Sequence, residues 1–455
     1  MKRYNPTAPK PITGLTCVDI FSGAGGLAEG FRQAGFNVIS GSDIDPYASK
    51  TFRANFPEAS YFEGNIADLR GSRILKTADL TAGEIDCLIG GPPCQAFSYN
   101  SHLRTHRGVI AGLFREYLRL VQELNPRYLV MENVPGILSI GNGGVVGEIA
   151  SYLGALGYET DGRILYAEDF GVPQQRRRMI FIASRVGLPA EIFPMGSHGP
   201  APKPIQNELV HRWEPEEHAE RLIRVWSAIG DLPAKPETVD ATEAVGYRKA
   251  AWCDFQHYVR EGSPGVLNHH TVGLGRTMMA RIKHVPQGGS WRDIPRRLLP
   301  AGMKRAKKSC HTKRYGRLAP NDLACTLLTK CDPHWGCYIH PDEDRVITVR
   351  EAARLQSFPD RFKFFGPQLP QYRLVGNSVP PLLARAIAQS LLAYEGSCRR
   401  FIRKSKAQYR GLDAEPRWRC SLIQCIRNHP EPISGPRSRT RLHYCLLGSR
   451  PSPRS

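Results

Sequence analysis

The chain has 455 residues, enough for a sizeable core and two or three domains, and its 41% hydrophobic and 23% charged residues are the balance of a globular protein. No apolar run reaches bilayer length, and Met1-Lys2-Arg3-Tyr4 has no hydrophobic segment behind it, so the expectation is a cytoplasmic protein with no membrane span or signal peptide. A net charge of +20 calls for a polyanionic partner, nucleic acid ahead of membrane, although fourteen Lys and Arg against three acidic residues from Gly396 onward carry over half of it.

Leu15 to Phe21 reads as a first strand, Ser22 to Gly26 as a tight glycine turn, and Leu27 to Ala34 as a helix stopped by Gly35. Phe36 to Ser42 follows as a second strand with Asp43 at its end, then a helix over Pro46–Phe56. The alternation continues through strand Asp86–Ile89, helix Ala111–Leu124, strand Tyr128–Met131 and helix Val145–Leu156, with strands near Ile164–Tyr166 and Met179–Ala183. Such alternation implies an α/β fold with a parallel sheet covered on both faces. After Ser184 the chain turns to Pro, Gly and charge, including the basic stretch Arg296 to Lys313, which suits either a phosphate-facing surface or a solvated charged face. Arg350 to Leu355 is helix-like, and Pro381 to Tyr394 is an apolar helix. Beyond Gly396 hydrophobic periodicity is lost, and the basic tail reads as disordered. The 12 cysteines are scattered; Cys331 and Cys337 lie close, but no second pair completes a zinc site, so reduced thiols and no structural metal are expected.

Three places carry chemistry. In Asp86 to Ser98, a short strand ends in Gly90-Gly91, Pro92-Pro93 stiffens the exit, and Cys94 follows at the sheet edge, where open parallel sheets place their chemistry. A thiol fixed there reads as a nucleophile. The turn Asp19 to Gly26 opens a helix, and Asp43 ends the next strand, as in sites for a nucleoside-containing cofactor whose ribose a carboxylate holds. Glu132-Asn133-Val134 reaches the same edge as Cys94, where a carboxylate can act as an acid, and strand alternation sends Arg176 and Arg178 to one side and Arg177 to the other.

In this order these motifs, with Gln174 to Arg178, Arg350 to Pro359 and Gly376 to Pro380, resemble those of the S-adenosylmethionine-dependent DNA (cytosine-5) methyltransferases over Leu15 to about Tyr394. The resemblance implies a Rossmann-like methyltransferase fold with a mixed, mainly parallel sheet, and a catalytic domain over 13–184 completed by 371–395. A smaller target-recognition domain over 185–370 and the tail 396–455 would complete the chain. It implies that Cys94 attacks C6 of a flipped-out cytosine, that Glu132 binds and protonates N3, and that Arg176 and Arg178 hold the base and the active-site loop. S-adenosylmethionine would be surrounded by Asp19, Phe21, Gly23, Gly25, Gly26, Asp43, Ile44, Asn65, Ile66, Pro92, Asn377 and Ser378, with Ile44 against the adenine. Asn65 stands where the family often has Asp. Gln95, Ser98, Asn133, Gln174, Thr326 and Thr329 would meet the DNA, and the segment from Ser98 to about Gly112 would close on the flipped base. The same resemblance implies a monomer acting on double-stranded DNA, without metal, beside a restriction endonuclease that shares its site. A tRNA-directed relative and an inactive DNA-binding relative are the alternatives; the long region from Arg185 to Asp344 argues against the first, and the full set of chemical residues against the second.

Overall fold

The computed structural model describes residues 14–93, 107–199, 222–234, 243–247 and 249–408. Its centre is a seven-stranded sheet of β1 (Thr16–Ile20), β2 (Asn37–Asp43), β3 (Ser60–Glu63), β4 (Cys87–Gly90), β5 (Tyr128–Asn133), β6 (Glu159–Tyr166) and β7 (Arg177–Ser184). The order is β3-β2-β1-β4-β5-β7-β6. The first five are parallel to one another, and β7 runs antiparallel to both β5 and β6. The connection length explains the reversal: ten residues separate β6 from β7, too few for a crossover between parallel strands.

The crossovers are α1 (Gly26–Ala34), α2 (Pro46–Asn55), α3 (Gly71–Ala78), α4 (Arg107–Leu124) and α5 (Gly144–Ala155). Gly35 ends α1 at φ 103°, its N–H reaching the Arg32 and Phe31 carbonyls. Asp45 caps α2 by accepting from the Tyr47 N–H at 2.9 Å. β3 and α3 were not expected from the sequence; β3 has only four residues with one buried, too short for its alternation to register. The central strands are apolar on both faces, since helices cover both. Cys17, Ile89, Val130 and Ile182 fall in one buried cluster, and Val18, Leu88, Leu129 and Phe181 in the other.

The shorter elements of the second half are α6 (Val225–Ile229), α7 (Asp254–Arg260), α8 (Arg276–Ile282), α9 (Ala301–Lys304) and the paired strands β8 (Gly316–Arg317) and β9 (Cys337–Ile339). They do not form one separate unit over 185–370. Phe193, Val225, Phe255, Val259 and Val266, and then Val346 to Phe364, belong to the same core as β1 and α1. A core of its own is confined to Ile282, Val285, Trp291, Ile294, Met303, Tyr315 and Ile339. Composition hid this boundary because α10 (Val349–Leu355) looks charged yet is wholly buried. Its Arg354 meets Asp231 and Asp360, both fully buried, at 2.6 Å each, and Arg350 donates to the Leu267, Pro359 and Phe362 carbonyls. Paired and hydrogen-bonded in this way, the charges can be buried; deleting one partner would strand the other.

The chain then returns through α11 (Gln368–Asn377) to α12 (Pro381–Gln408). The expected end of this helix near Tyr394 is too early, since it continues thirteen residues into the region read as tail, up to Gln408; positions beyond 408 lie outside the described residues. α12 lies against α1, where a Cβ on Gly30 would stand 2.4 Å from Ala384 Cβ and 2.5 Å from the Pro381 carbonyl oxygen. Midway along α12, Glu395 accepts from Arg127 and from the Tyr128 hydroxyl at 2.6 Å each.

Gly30→Ala separates two opposing effects. Alanine is worth about 1 kcal/mol more than glycine inside a helix, but overpacking a tight contact costs about 1–3 kcal/mol. The contact dominates, so urea unfolding should show a net loss of about 1–2 kcal/mol; a gain in stability would mean that α1 and α12 do not meet at Gly30.

Candidate active site

Strand order sets the position of the site. The chain winds outward from β1 through β2 and β3, then crosses to β4 and winds the other way, so the loops after β1 and β4 diverge. A crevice opens at that switch point, beyond the carboxyl ends of the strands. There the structure has a cleft of about 700 Å³, lined by the turn after β1, the ends of β2 and β3, Gly91 to Pro93, Glu132 to Val134, Arg178 and Gly376 to Val379.

Backbone geometry at the turn after β1 is specialised. Phe21 takes φ 56°, a left-handed conformation unusual for a large side chain, and Gly23 and Gly25 take φ 52° and 92°. A Cβ on Gly26 would stand 2.3 Å from the Val379 carbonyl oxygen, so the returning chain closes directly onto the turn. A Cβ on Gly23 would meet nothing within 4 Å, leaving room there for a ligand to approach the backbone. Asp19 is fully buried beneath the turn, and burial pushes its carboxyl well above the usual range, opposed by the Ala28 N–H.

Asp43, at the end of β2, accepts from the Gly23 N–H at 2.8 Å and the Asp45 N–H at 3.0 Å. Burial raises its carboxyl, and these N–H groups pull it back. Each oxygen keeps a lone pair for a ligand hydroxyl. Ile44 beside it is 69% exposed, an apolar side chain displayed at the cleft. Asn65 also lines the cleft, but its side-chain oxygen already caps the next turn, accepting from the Ala67 N–H at 3.1 Å. Ile66 is buried behind it. Phe62, Leu69 and Leu113 complete this apolar end and were not picked out from the sequence; Phe62 lies on the unexpected β3.

At the other end, register brings the charged pair together. Glu132 of β5 stands opposite Ile180 of β7, so Arg178, two residues from Ile180, is its diagonal neighbour on the same face. Arg178 Nε is 2.5 Å from Glu132 Oε1, with both side chains 12% exposed. Gly91 makes room, since a Cβ there would lie 3.0 Å from Glu132 Oε2. Asn133 donates to the buried Pro92 carbonyl at 3.2 Å, tying the end of β5 to the exit of β4. Cys94, Gln95 and Ser98 lie outside the described residues, but Pro93 brings the chain to this cleft immediately before Cys94.

The expected pairing of Arg176 with Arg178 in the site is not what the structure shows. Arg176 precedes the first residue of β7, so strand alternation does not govern it. Its side chain is buried behind the cleft wall, not lining it, and donates to the Leu327 carbonyl at 3.1 Å, Gly376 at 2.8 Å and Ser378 at 2.9 Å. Burial, with Arg178 nearby, drives its pKa well down. Gln174 is also buried rather than turned toward a substrate, donating to the Leu355 carbonyl and the Gln356 side chain and accepting from the Leu327 N–H at 2.9 Å. Thr326 is exposed and donates to the Gln175 carbonyl at 2.6 Å; Thr329 is exposed nearby, and neither lines the cleft. Asn377 and Ser378 do line it, with Ser378 Oγ bonded to the Leu374 carbonyl. Among the described residues no group of His, Cys, Asp or Glu is arranged to hold a metal, and no helix is long and apolar enough to cross a membrane.

A doubly wound sheet with one reversed strand next to its edge, and a glycine turn opening onto the switch-point cleft, is the methyltransferase type of α/β fold. Within that class, the model of the C-5 cytosine-specific DNA methylase family matches residues 15–393, and the chain belongs to this family. It is 33% identical over 390 residues to the type II methyltransferase M.XorII of Xanthomonas oryzae pv. oryzae, covering 82% of this chain and 84% of that one. It is 32% identical over 388 residues to the type II methyltransferase M1.HphI of Haemophilus parahaemolyticus, covering 83% and 87%. Among solved structures, a prophage-encoded E. coli protein described as a DNA modification methyltransferase matches with a TM-score of 0.64 at 26% identity, over 84% of this chain and 99% of that one.

The two arginines should separate in experiment. Arg176→Met leaves buried carbonyls without donors and should cost about 2–4 kcal/mol of unfolding free energy. Arg178→Met strands the Glu132 carboxylate, 12% exposed, but that carboxylate lines an open cleft where water can reach it, so the cost should be smaller, about 1–2 kcal/mol. Equal losses in chemical denaturation would contradict the placement of Arg176.

Proposed function

We propose that the cleft binds S-adenosylmethionine at its Ile44 end and an extruded cytosine at its Glu132 end, and that the protein methylates C5 of that cytosine within double-stranded DNA. One observation carries the reading: a carboxylate–guanidinium pair and an exposed apolar side chain beside a second carboxylate share one cleft, at the edge where the chain enters Cys94.

The residues present fit the cofactor. Open space over Gly23 admits it, the Asp43 carboxylate can accept from a ribose hydroxyl, and Ile44, Phe62, Ile66 and Leu113 offer apolar contact to a purine. When bound, S-adenosylmethionine supplies the methyl group. The other steps fall to the chain. The Cys94 thiolate adds to C6, which makes C5 nucleophilic. Glu132 binds N3 and supplies its proton as charge builds on the ring, and Arg178 orients Glu132 and reaches the base carbonyl. Solvent water then takes the C5 proton, the C6–S bond breaks to release the Cys94 thiolate, and N3 returns its proton to Glu132, which restores the ring. A cytosine reaches this cleft only after leaving the duplex, because C6 is shielded in stacked DNA. The basic stretch from Arg296 to Lys313, largely exposed on the part with its own core, is placed to hold phosphates. A restriction endonuclease acting at the same sequence fits the type II relatives.

Asp43→Ala should raise the Kd for S-adenosylmethionine about 10-fold or more, a hydrogen bond to a charged group being worth about 1.5–3 kcal/mol. Affinity for duplex DNA should stay within a factor of two. Calorimetry with unchanged cofactor affinity would remove Asp43 from the ribose site.

A further inference from the structure

One wall of the cleft belongs neither to the glycine turn nor to the strand ends. It is the segment from Ile66 to Arg73, of which Ile66, Asp68, Leu69 and Arg73 line the cleft. A single 3₁₀ turn, Ile66–Asp68, leads through Leu69 and Arg70 into α3. Such ends leave backbone groups to be satisfied from elsewhere: carbonyls after the turn and the first N–H groups of the helix. Arg70, at the start of α3, makes no side-chain cap. α4 supplies both partners. Arg119 Nη2 donates to the Ile66 carbonyl at 3.0 Å and the Leu69 carbonyl at 2.8 Å, and Glu123 accepts from the Gly71 N–H at 2.5 Å. Arg119 is itself fixed on α4, its Nε 2.7 Å from Glu116 and its Nη1 2.6 Å from Glu123, with the three residues on one helix face. Glycine at 71 allows the close approach, since a Cβ there would stand 2.7 Å from Glu123 Cβ.

We propose that Arg73 contacts the purine of the cofactor, and that Arg119, without touching it, is a positioning residue that holds the wall from which Arg73 projects. The inference rests on the proposed binding of S-adenosylmethionine at the Ile44 end. Two arginines line the cleft among the described residues. Arg178 is paired with Glu132 at the cytosine end. Arg73 stands at the purine end, exposed, with its guanidinium carbon 5.2 Å from the centre of the Phe62 ring. A guanidinium over a ring keeps N–H donors at its edge, and the purine ring nitrogens are acceptors in their own plane. Ile44 after β2, Phe62 on β3 and Arg73 on α3 then enclose the base from three elements.

Charge does not oppose this placement. The purine is neutral, and the methyl group must face the cytosine at the Glu132 end, so the sulfonium charge falls on the side away from Arg73. The part played by Arg119 follows from what its loss would release. Two carbonyls of the wall and one oxygen of Glu123 would lose their donor together, and the turn that carries Ile66 would no longer be held at both ends. The side chains of Arg119, Glu116 and Glu123 are 23%, 26% and 29% exposed, so water can replace the lost bonds and the fold survives. Water restores the hydrogen bonds without restoring the position of the wall.

Calorimetric titration of the full chain with S-adenosylhomocysteine and with adenosine tests both residues, with duplex DNA binding as the control. Arg73→Ala should raise the Kd for both nucleoside ligands by a common factor of about 3 to 10, while its urea unfolding midpoint stays that of the wild type. Arg73→Lys should recover little of this, because an ammonium lacks the planar fork. Arg119→Met should also weaken both nucleoside ligands, by about 5-fold or more. Arg119→Lys, which can still reach one carbonyl, should recover part of the loss. Duplex DNA affinity should stay within a factor of two in all four variants. A residue that only supports the fold would move nucleoside and DNA affinity together, so equal losses of both in Arg119→Met would overturn its positioning role. Unchanged nucleoside affinity in Arg73→Ala would overturn the purine contact. Asp43→Ala separates these outcomes from the cofactor reading. If it weakens S-adenosylhomocysteine and Arg73→Ala does not, the cofactor site stands and the inference falls; if the wild-type chain binds no S-adenosylhomocysteine, both fall.

Discussion

Arg176 is the point where the catalytic architecture is held together. Its guanidinium reaches carbonyl groups on two segments remote in sequence, at Leu327 and at Gly376 and Ser378, from a position at the entry of β7. Gln174 and Gln356 extend the same lattice, Gln356 donating to the Val375 and Ser378 carbonyls. A fully buried cation is costly unless its donors are satisfied, and main-chain carbonyls satisfy most of these without a carboxylate partner. The cleft needs this clamp because its walls are discontinuous: the turn after β1 closes only when Ser378 and Val379 pack against Gly26. The contact of α12 with α1 at Gly30 holds the same return path from the outer face.

This division of labour explains why two neighbouring arginines of one motif play different parts. Arg178 lies on β7, where register with β5 aims it at Glu132; Arg176 lies before the strand and turns inward. The partner of Glu132 at the cleft and the clamp on the returning chain are thus encoded two residues apart. Gln174 follows the same logic, bonding to the core rather than to a ligand.

The elements with strong local signals were legible in the sequence. The glycine turn, Asp43 at a strand end, Glu132 at another and the apolar return helix all fall where periodicity and strand-end position put them, and the site assembles from them. Less was legible where a residue's role depends on distant chain. The split between Arg176 and Arg178 follows from bonds to residues about 150 to 200 positions away. The membership of Val349 to Phe364 in the first core was masked by charges that only their partners at Asp231 and Asp360 make tolerable. β3 and its Phe62 were too short to show a period. The reversal of β7 was not read from the strand–helix alternation, which implied a parallel sheet; it follows from the ten residues between β6 and β7, a constraint of length rather than of composition.

The central claim is that a cytosine is methylated at this cleft by way of Cys94, and bisulfite sequencing of DNA from cells expressing the chain tests it most directly. The account predicts cytosines protected within one short sequence motif, with protection gone in Cys94→Ser. No protected cytosine, or the same protection from Cys94→Ser, would contradict it.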